Sequence, residues 1–176
     1  MDSAEAQSIP GITVTNPLDL DYMPYTHSLA AAILWSVGAG LVHRAWRSSD
    51  GWLGAGLVSG VVFSHWVLDL LVHRPDLALY DDTLKVGLGL WNYPVIASAL
   101  EIASLFGGIY LYYRATRAVA PGGRYGMVIF ELVMLAIQGR VFFGPPPPGP
   151  KAAAVTALSA YFLFAGVAFW LERKRA

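Results

Sequence analysis

The sequence contains no cysteine, which excludes disulfides and thiolate zinc sites. Charge is scarce as well. Only 14% of the 176 residues are charged, and 12 basic side chains balance 12 acidic ones to a net charge of zero. Neither nucleic acid nor an anionic surface is therefore expected as a bulk partner. The opening residues Met1-Asp2-Ser3-Ala4-Glu5 lack the basic and apolar regions of a secretory signal, so membrane insertion must come from internal spans. No serine, lysine or glycine-rich motif reports a reaction. Apolar surface is what the chain has in plenty. Hydrophobic residues make up 56% of it, with six Trp and nine Tyr, and the mean hydropathy is +0.50. That is the profile of a membrane protein.

The length fits a single domain. Residues 1–24 read as a surface or disordered segment, broken by Pro10, Gly11, Asn16, Pro17 and Pro24. Residues 25–176 read as one helical membrane domain with apolar spans at about 27–46, 52–73, 94–113, 125–143 and 152–171. The expected fold is all-α and polytopic, with about five transmembrane helices. Ser36, Gly38 and Gly40 predict a close-packing face on the first span, and Gly56, Gly60 and Ser64 another on the second. Trp91 and Tyr93 read as an interfacial aromatic belt, and the proline run after Gly144 as a stiff connector. Basic residues concentrate after span one (Arg44, Arg47), after span three (Arg114, Arg117, Arg124) and at the end (Arg173-Lys174-Arg175). The positive-inside rule then puts the N-terminus outside and the C-terminus inside.

Ionisable groups within an apolar span are costly and mark a function by default. Span two carries His65 and Asp69, four apart and so on one helical face, about 6 Å apart in rise. His27 heads span one, with Asp19 and Asp21 just ahead of it. Glu101 lies about 10 Å into span three, near the expected depth of His65. With the N-terminus outside, these groups converge on one outward-facing cavity. Imidazole plus carboxylate suits zinc and related divalent metals, although His65 and Asp69 also fit a hydrogen-bonded pair that locks two helices. His73 falls about 12 Å along the helix from His65 and stays open between interfacial residue, second-metal ligand and substrate contact. Glu101 is open between proton acceptor, ligand and a neutral hydrogen-bonded group. His43, beside Arg44 and Arg47, reads as interfacial. Glu131 reads as structurally paired. Gln138 and Arg140 face the outer side, where Arg140 either snorkels to the headgroups or meets a phosphate.

Two segments, Pro24-Tyr25-Thr26-His27-Ser28-Leu29 and Ser64-His65-Trp66-Val67-Leu68-Asp69-Leu70-Leu71, together resemble the YdjM-like membrane-bound metal-dependent hydrolases of bacteria. Members of that family carry Thr-His-Ser at the head of one membrane helix and Ser-His-x-x-x-Asp in the next. The resemblance covers roughly residues 17 to 80. A Pro-Asp-x-Asp-His element of the family is matched only loosely by Pro17-Leu18-Asp19-Leu20-Asp21-Tyr22, where Tyr22 replaces the histidine. An earlier histidine-bearing helix of the family has no counterpart in this sequence. The resemblance implies a metal site built from histidines and aspartates.

These readings give a multi-pass protein of a bacterial cytoplasmic membrane. Its expected metal ligands are His27, His65 and Asp69, with Asp21 the leading fourth, around a divalent ion, zinc by preference. The favoured function is metal-dependent hydrolysis of a phosphoester in a lipid or lipid-derived substrate, with Glu101 and His73 as the candidate catalytic groups. The alternatives are a small transporter or proton/metal relay using His65, Asp69 and Glu101, and a non-catalytic membrane scaffold.

Overall fold

The computed structural model describes residues 6–9, 11–15, 18–20, 22–145 and 149–176, with side chains for all of these except 6–8, 18–20 and 150. A short antiparallel ribbon of β1 (Ala6–Ser8) and β2 (Leu18–Leu20) comes first. A one-turn helix α1 (Pro24–His27) follows. Five long helices complete the chain: α2 (Leu29–Trp46), α3 (Gly51–Val72), α4 (Pro94–Ala115), α5 (Pro121–Phe143) and α6 (Pro150–Glu172). All five are long and apolar enough to cross a membrane, in the positions the sequence predicts. Even the shortest, with 18 residues, rises about 27 Å, close to the hydrocarbon thickness of about 30 Å.

The chain divides into two compact units, Met1–Tyr93 and Pro94–Ala176. The first is built on the α2–α3 hairpin. Ala32, Ser36 and Gly40, each four residues apart, form the buried stripe of α2. A Cβ on Gly40 would stand 2.2 Å from Ser59 Oγ and 2.8 Å from the Ala55 carbonyl oxygen, so only glycine permits this approach. The expected stripe on α3 is displaced by one position. Ala55 and Ser59 meet α2, whereas Gly56 and Gly60 have no side-chain neighbour within 4 Å in their own unit. Spacing by four fixes a helical face but not which of the available faces is used. The hairpin turns at Gly51, whose φ of +64° suits a residue without a Cβ. His43 Nε2 lies 3.1 Å from Asp50 Oδ2 across that turn, consistent with its reading as an end-of-helix residue.

The connection from Arg74 to Tyr93 is more than a loop with an aromatic belt. It forms a tight bridge, Leu77 with Val86 and Tyr80 with Thr83, and drives the fully buried Leu77 onto Ala32 and Trp66. The N-terminal segment joins it, since the Thr15 backbone N–H and Oγ1 both donate to the Trp91 carbonyl, at 3.2 and 2.9 Å.

In the second unit, the C-terminal tail pairs with the α4–α5 connection, Ala118 against Arg175. Arg175 donates to Thr116 Oγ1 at 3.0 Å and to the Gly123 carbonyl at 3.1 Å, and stands over the rings of Tyr112 and Tyr113. The basic residues of that connection and of the tail therefore share one end of the unit. Arg140 turns back to donate to the Pro145 carbonyl at 3.1 Å, so its guanidinium serves the end of its own helix.

The glycine geometry yields a paired prediction. Gly40→Ala should destabilise the hairpin by about 1–3 kcal/mol through overpacking. Gly38→Ala, where a Cβ meets nothing within 4 Å of its own unit, should be neutral or stabilising by up to about 1 kcal/mol. Thermal unfolding of the two variants in one detergent checks the contrast, and equal effects would contradict this packing.

Candidate functional site

The site is assembled by satisfying the ends of two helices. The first turn of any helix leaves four N–H groups without intrahelical partners. Here Ser28 is the N-cap of α2, and its Oγ accepts from Ala31 N at 3.1 Å. The Leu29 and Ala30 N–H groups instead donate to the carbonyls of Ala78 and Leu79, at 3.0 and 3.1 Å. The same loop serves the far end of α3, where Leu88 N donates to the Leu70 carbonyl at 2.9 Å and Gly89 N to the His73 carbonyl at 2.7 Å. Gly87 makes that second docking possible, because a Cβ there would lie 2.1 Å from the Arg74 carbonyl oxygen. One loop thus clamps the start of α2 to the end of α3. His27 stands at the first of these ends, and His65, Asp69 and His73 lie along the second.

His27, His65 and Asp69 each bring one ligand atom to within 4.8 Å of the others. A tetrahedral ion with bonds of about 2.1 Å sets its ligands about 3.4 Å apart, so side-chain adjustments of an ångström or so would close the set on one ion. The His65 Nε2 to Asp69 Oδ2 distance is already 3.3 Å. That contact lacks hydrogen-bond alignment, and Asp69 Oδ2 is a buried oxygen with no hydrogen-bond partner among the described residues. A buried carboxylate oxygen without a partner requires a physical explanation, and a cation would supply one. Thr26 Oγ1 engages His27 Nδ1 at 2.8 Å, leaving Nε2 as that ring's available nitrogen. His27 precedes the first span, and burial pushes its imidazole below the ordinary histidine range against the opposing pull of Asp69. Neutral imidazole is the form that ligates metal. The His65 side chain, 66% exposed, is the open side of the group.

The remaining expected site residues sort clearly. His73 does not continue the helix. It is the C-cap of α3 in extended conformation, φ −65° and ψ 146°, one residue past the end of the helix. It is buried, and its ring centroid is 6.2 Å from that of His27, with His65 6.0 Å from the same ring. Asp21 lies outside the described residues, as does the side chain of Asp19. Glu101 is a half-buried residue of α4 in the second unit, and the cluster above is built within the first unit alone. Glu131 lies on α5, also in the second unit, where it interacts with the Tyr113 hydroxyl of α4, in keeping with its reading as structurally paired. A hollow of about 300 Å³ lined by Ser104, Leu105, Gly108, Ile109, Tyr112 and Met127 also belongs to the second unit, and it gathers none of the expected ligands.

Two residues escape a reading by span. Asp76 is buried, with Oδ1 3.2 Å from His73 Nδ1 and Oδ2 3.3 Å from Arg74 Nε. Trp91 lies with its ring 4.3 Å from that of His73, at 51°. A signal for the first was present in His73-Arg74-Pro75-Asp76, where a proline two residues past the C-cap prevents the helix from continuing. Comparison with family models, curated proteins and solved structures finds no match for the chain.

If the loop is the clamp, its anchor controls the site. Leu77→Ala should cost about 2–5 kcal/mol as a buried truncation and should selectively raise amide exchange at Leu29 and Ala30. Hydrogen exchange resolved to those amides checks this, and unchanged protection there would separate the loop from the helix start.

Proposed function

We propose that the chain is a metal-dependent hydrolase of a bacterial cytoplasmic membrane, acting on a phosphoester in a lipid or lipid-derived substrate at the outer face. The observation that carries the reading is the approach of His27, His65 and Asp69 to within 4.8 Å of one another, where Asp69 Oδ2 is buried without a hydrogen-bond partner among the described residues. The resemblance of the Thr26-His27-Ser28 and Ser64-His65…Asp69 segments to YdjM-like hydrolases supports it, as does the presence of five membrane-length helices. The orientation with N-terminus out rests on the distribution of arginines and lysines. Zinc is the preferred ion on donor chemistry, and Asp21 remains the proposed fourth ligand.

When bound, a divalent metal activates water at neutral pH and polarises a phosphoryl oxygen. The chain's own part is to hold and to move protons. Thr26 fixes the His27 ring, and Asp69 supplies the negative charge that offsets the cation in an apolar setting. His73, whose ring centroid is 6.2 Å from that of His27, is proposed to accept the proton of the attacking water. Glu101 is the second candidate for that step.

Protein reconstituted in phospholipid vesicles and loaded with zinc should cleave a phosphodiester or phospholipid substrate. His65→Ala and Asp69→Ala should abolish turnover. His73→Gln or Glu101→Gln, whichever removes the proton acceptor, should lower kcat by about 10²–10⁴-fold. Zinc or proton flux across the vesicles with no cleavage would replace this reading with a transporter. Neither flux nor cleavage would leave a scaffold.

A further inference from the structure

The buried pair formed by His73 and Asp76 has no counterpart among the expected metal ligands. Both side chains are 5% exposed, and His73 Nδ1 lies 3.2 Å from Asp76 Oδ1. A carboxylate only accepts hydrogen bonds, so at this contact Nδ1 is the nitrogen that carries the proton. Nε2 is then left as the bare, accepting nitrogen. The second carboxylate oxygen of Asp76 is ion-paired with Arg74 Nε at 3.3 Å, without a hydrogen bond among the described residues. Rotation of the imidazole is opposed on its face by Trp91, at 4.3 Å between ring centroids. The backbone of His73 is fixed from both sides, its N–H donating to the Asp69 carbonyl at 2.8 Å and its carbonyl accepting from Gly89 N at 2.7 Å. An imidazole held at one nitrogen, one face and both peptide groups has a single orientation and a single tautomer.

We propose that Asp76 is the positioning residue of this site, setting His73 in the Nδ1–H tautomer so that Nε2 accepts the proton released by the attacking water. The assignment rests on the proposed hydrolase reading for the use of that nitrogen, but the tautomer itself is a property of the folded chain. The proton balance is simple. Water gives one proton to Nε2 as its oxygen bonds phosphorus, the imidazole becomes a cation beside the Asp76 carboxylate, and the proton then leaves with the departing alkoxide. Asp76 holds its charge throughout and exchanges no proton.

The test is nitrogen NMR of the full chain in lipid nanodiscs with labelled histidine. The chain has four histidines, and His73→Gln assigns the signal. In the wild type, His73 should show a protonated Nδ1 and a bare Nε2. In Asp76→Asn the tautomer should become mixed or reversed, and kcat should fall roughly 10–100-fold with KM unchanged, while zinc content stays as in the wild type. A wild-type His73 carrying its proton on Nε2 overturns the proposal even if the variant fails to fold. So does an Asp76→Asn protein with an unaltered His73 spectrum. No turnover with the expected tautomer in place would overturn the hydrolase reading alone. Full turnover with the opposite tautomer would overturn this assignment alone.

Discussion

The first turn of α2 has N–H groups that must find acceptors, and in an apolar setting each one left unpaired costs several kcal/mol. Ser28 provides for one of them, and the Ala78 and Leu79 carbonyls accept from Leu29 and Ala30. That need brings a loop from beyond α3 back to the start of α2. The loop's own amides then serve the exposed carbonyls at the end of α3, through Leu88 and Gly89. Everything of chemical interest in the first unit sits along this clamp. His27 precedes the capped turn, and His73 is itself the residue at which α3 stops. The site is a by-product of closing two helix ends against each other.

Apolar packing fixes how firmly the clamp holds. Leu77 is fully buried on Ala32 and Trp66, and burying a leucine side chain contributes about 1.5–3 kcal/mol. Exposed ion pairs such as Lys85 with Asp82, at 2.8 Å, each contribute only about 0–1 kcal/mol. Packing therefore outweighs surface charge in setting the loop. The buried polar groups pull the other way. Asp69 and Asp76 place carboxylates where water is scarce, and such groups persist where they are paired or where a function holds them. Asp76 has His73 and Arg74 beside it. Asp69 Oδ2 and Asp76 Oδ2 are both buried without a hydrogen-bond partner among the described residues, each facing a basic nitrogen at 3.3 Å, so it is the approach of His27 as well as His65 that distinguishes Asp69 as the proposed ligand.

The five spans were legible because length and hydropathy alone define them. The His65–Asp69 pair was legible because residues four apart share a helical face. His27 could be placed beside them because a hairpin of two spans returns to the same side. What the sequence concealed depends on the path of the chain between helices. Distance counted along an axis concerns only the separation of His73 from His65; that His73 stands beside His27 depends on where the helix stops, at Val72, and on how the chain runs on from there. Asp76 and Trp91 sit in the same connection, and their partners become visible only once Leu77 and Gly87 show how that connection folds back. The glycine stripe of α3 takes no part in the α2–α3 contact, for another reason. Ala55 and Ser59 are small enough to pack just as closely as Gly56 and Gly60, and residue size alone does not choose between neighbouring faces.

The proposed function requires His27, His65 and Asp69 to hold one divalent ion. Elemental mass spectrometry of detergent-purified protein after zinc repletion at neutral pH tests it most directly, with His65→Ala and Asp69→Ala purified alongside. Close to one zinc per wild-type chain, and almost none in either folded variant, is the expected result. A wild-type protein that retains no metal, or variants that retain all of it, would remove the metal site and return His65 and Asp69 to the role of a helix-locking pair.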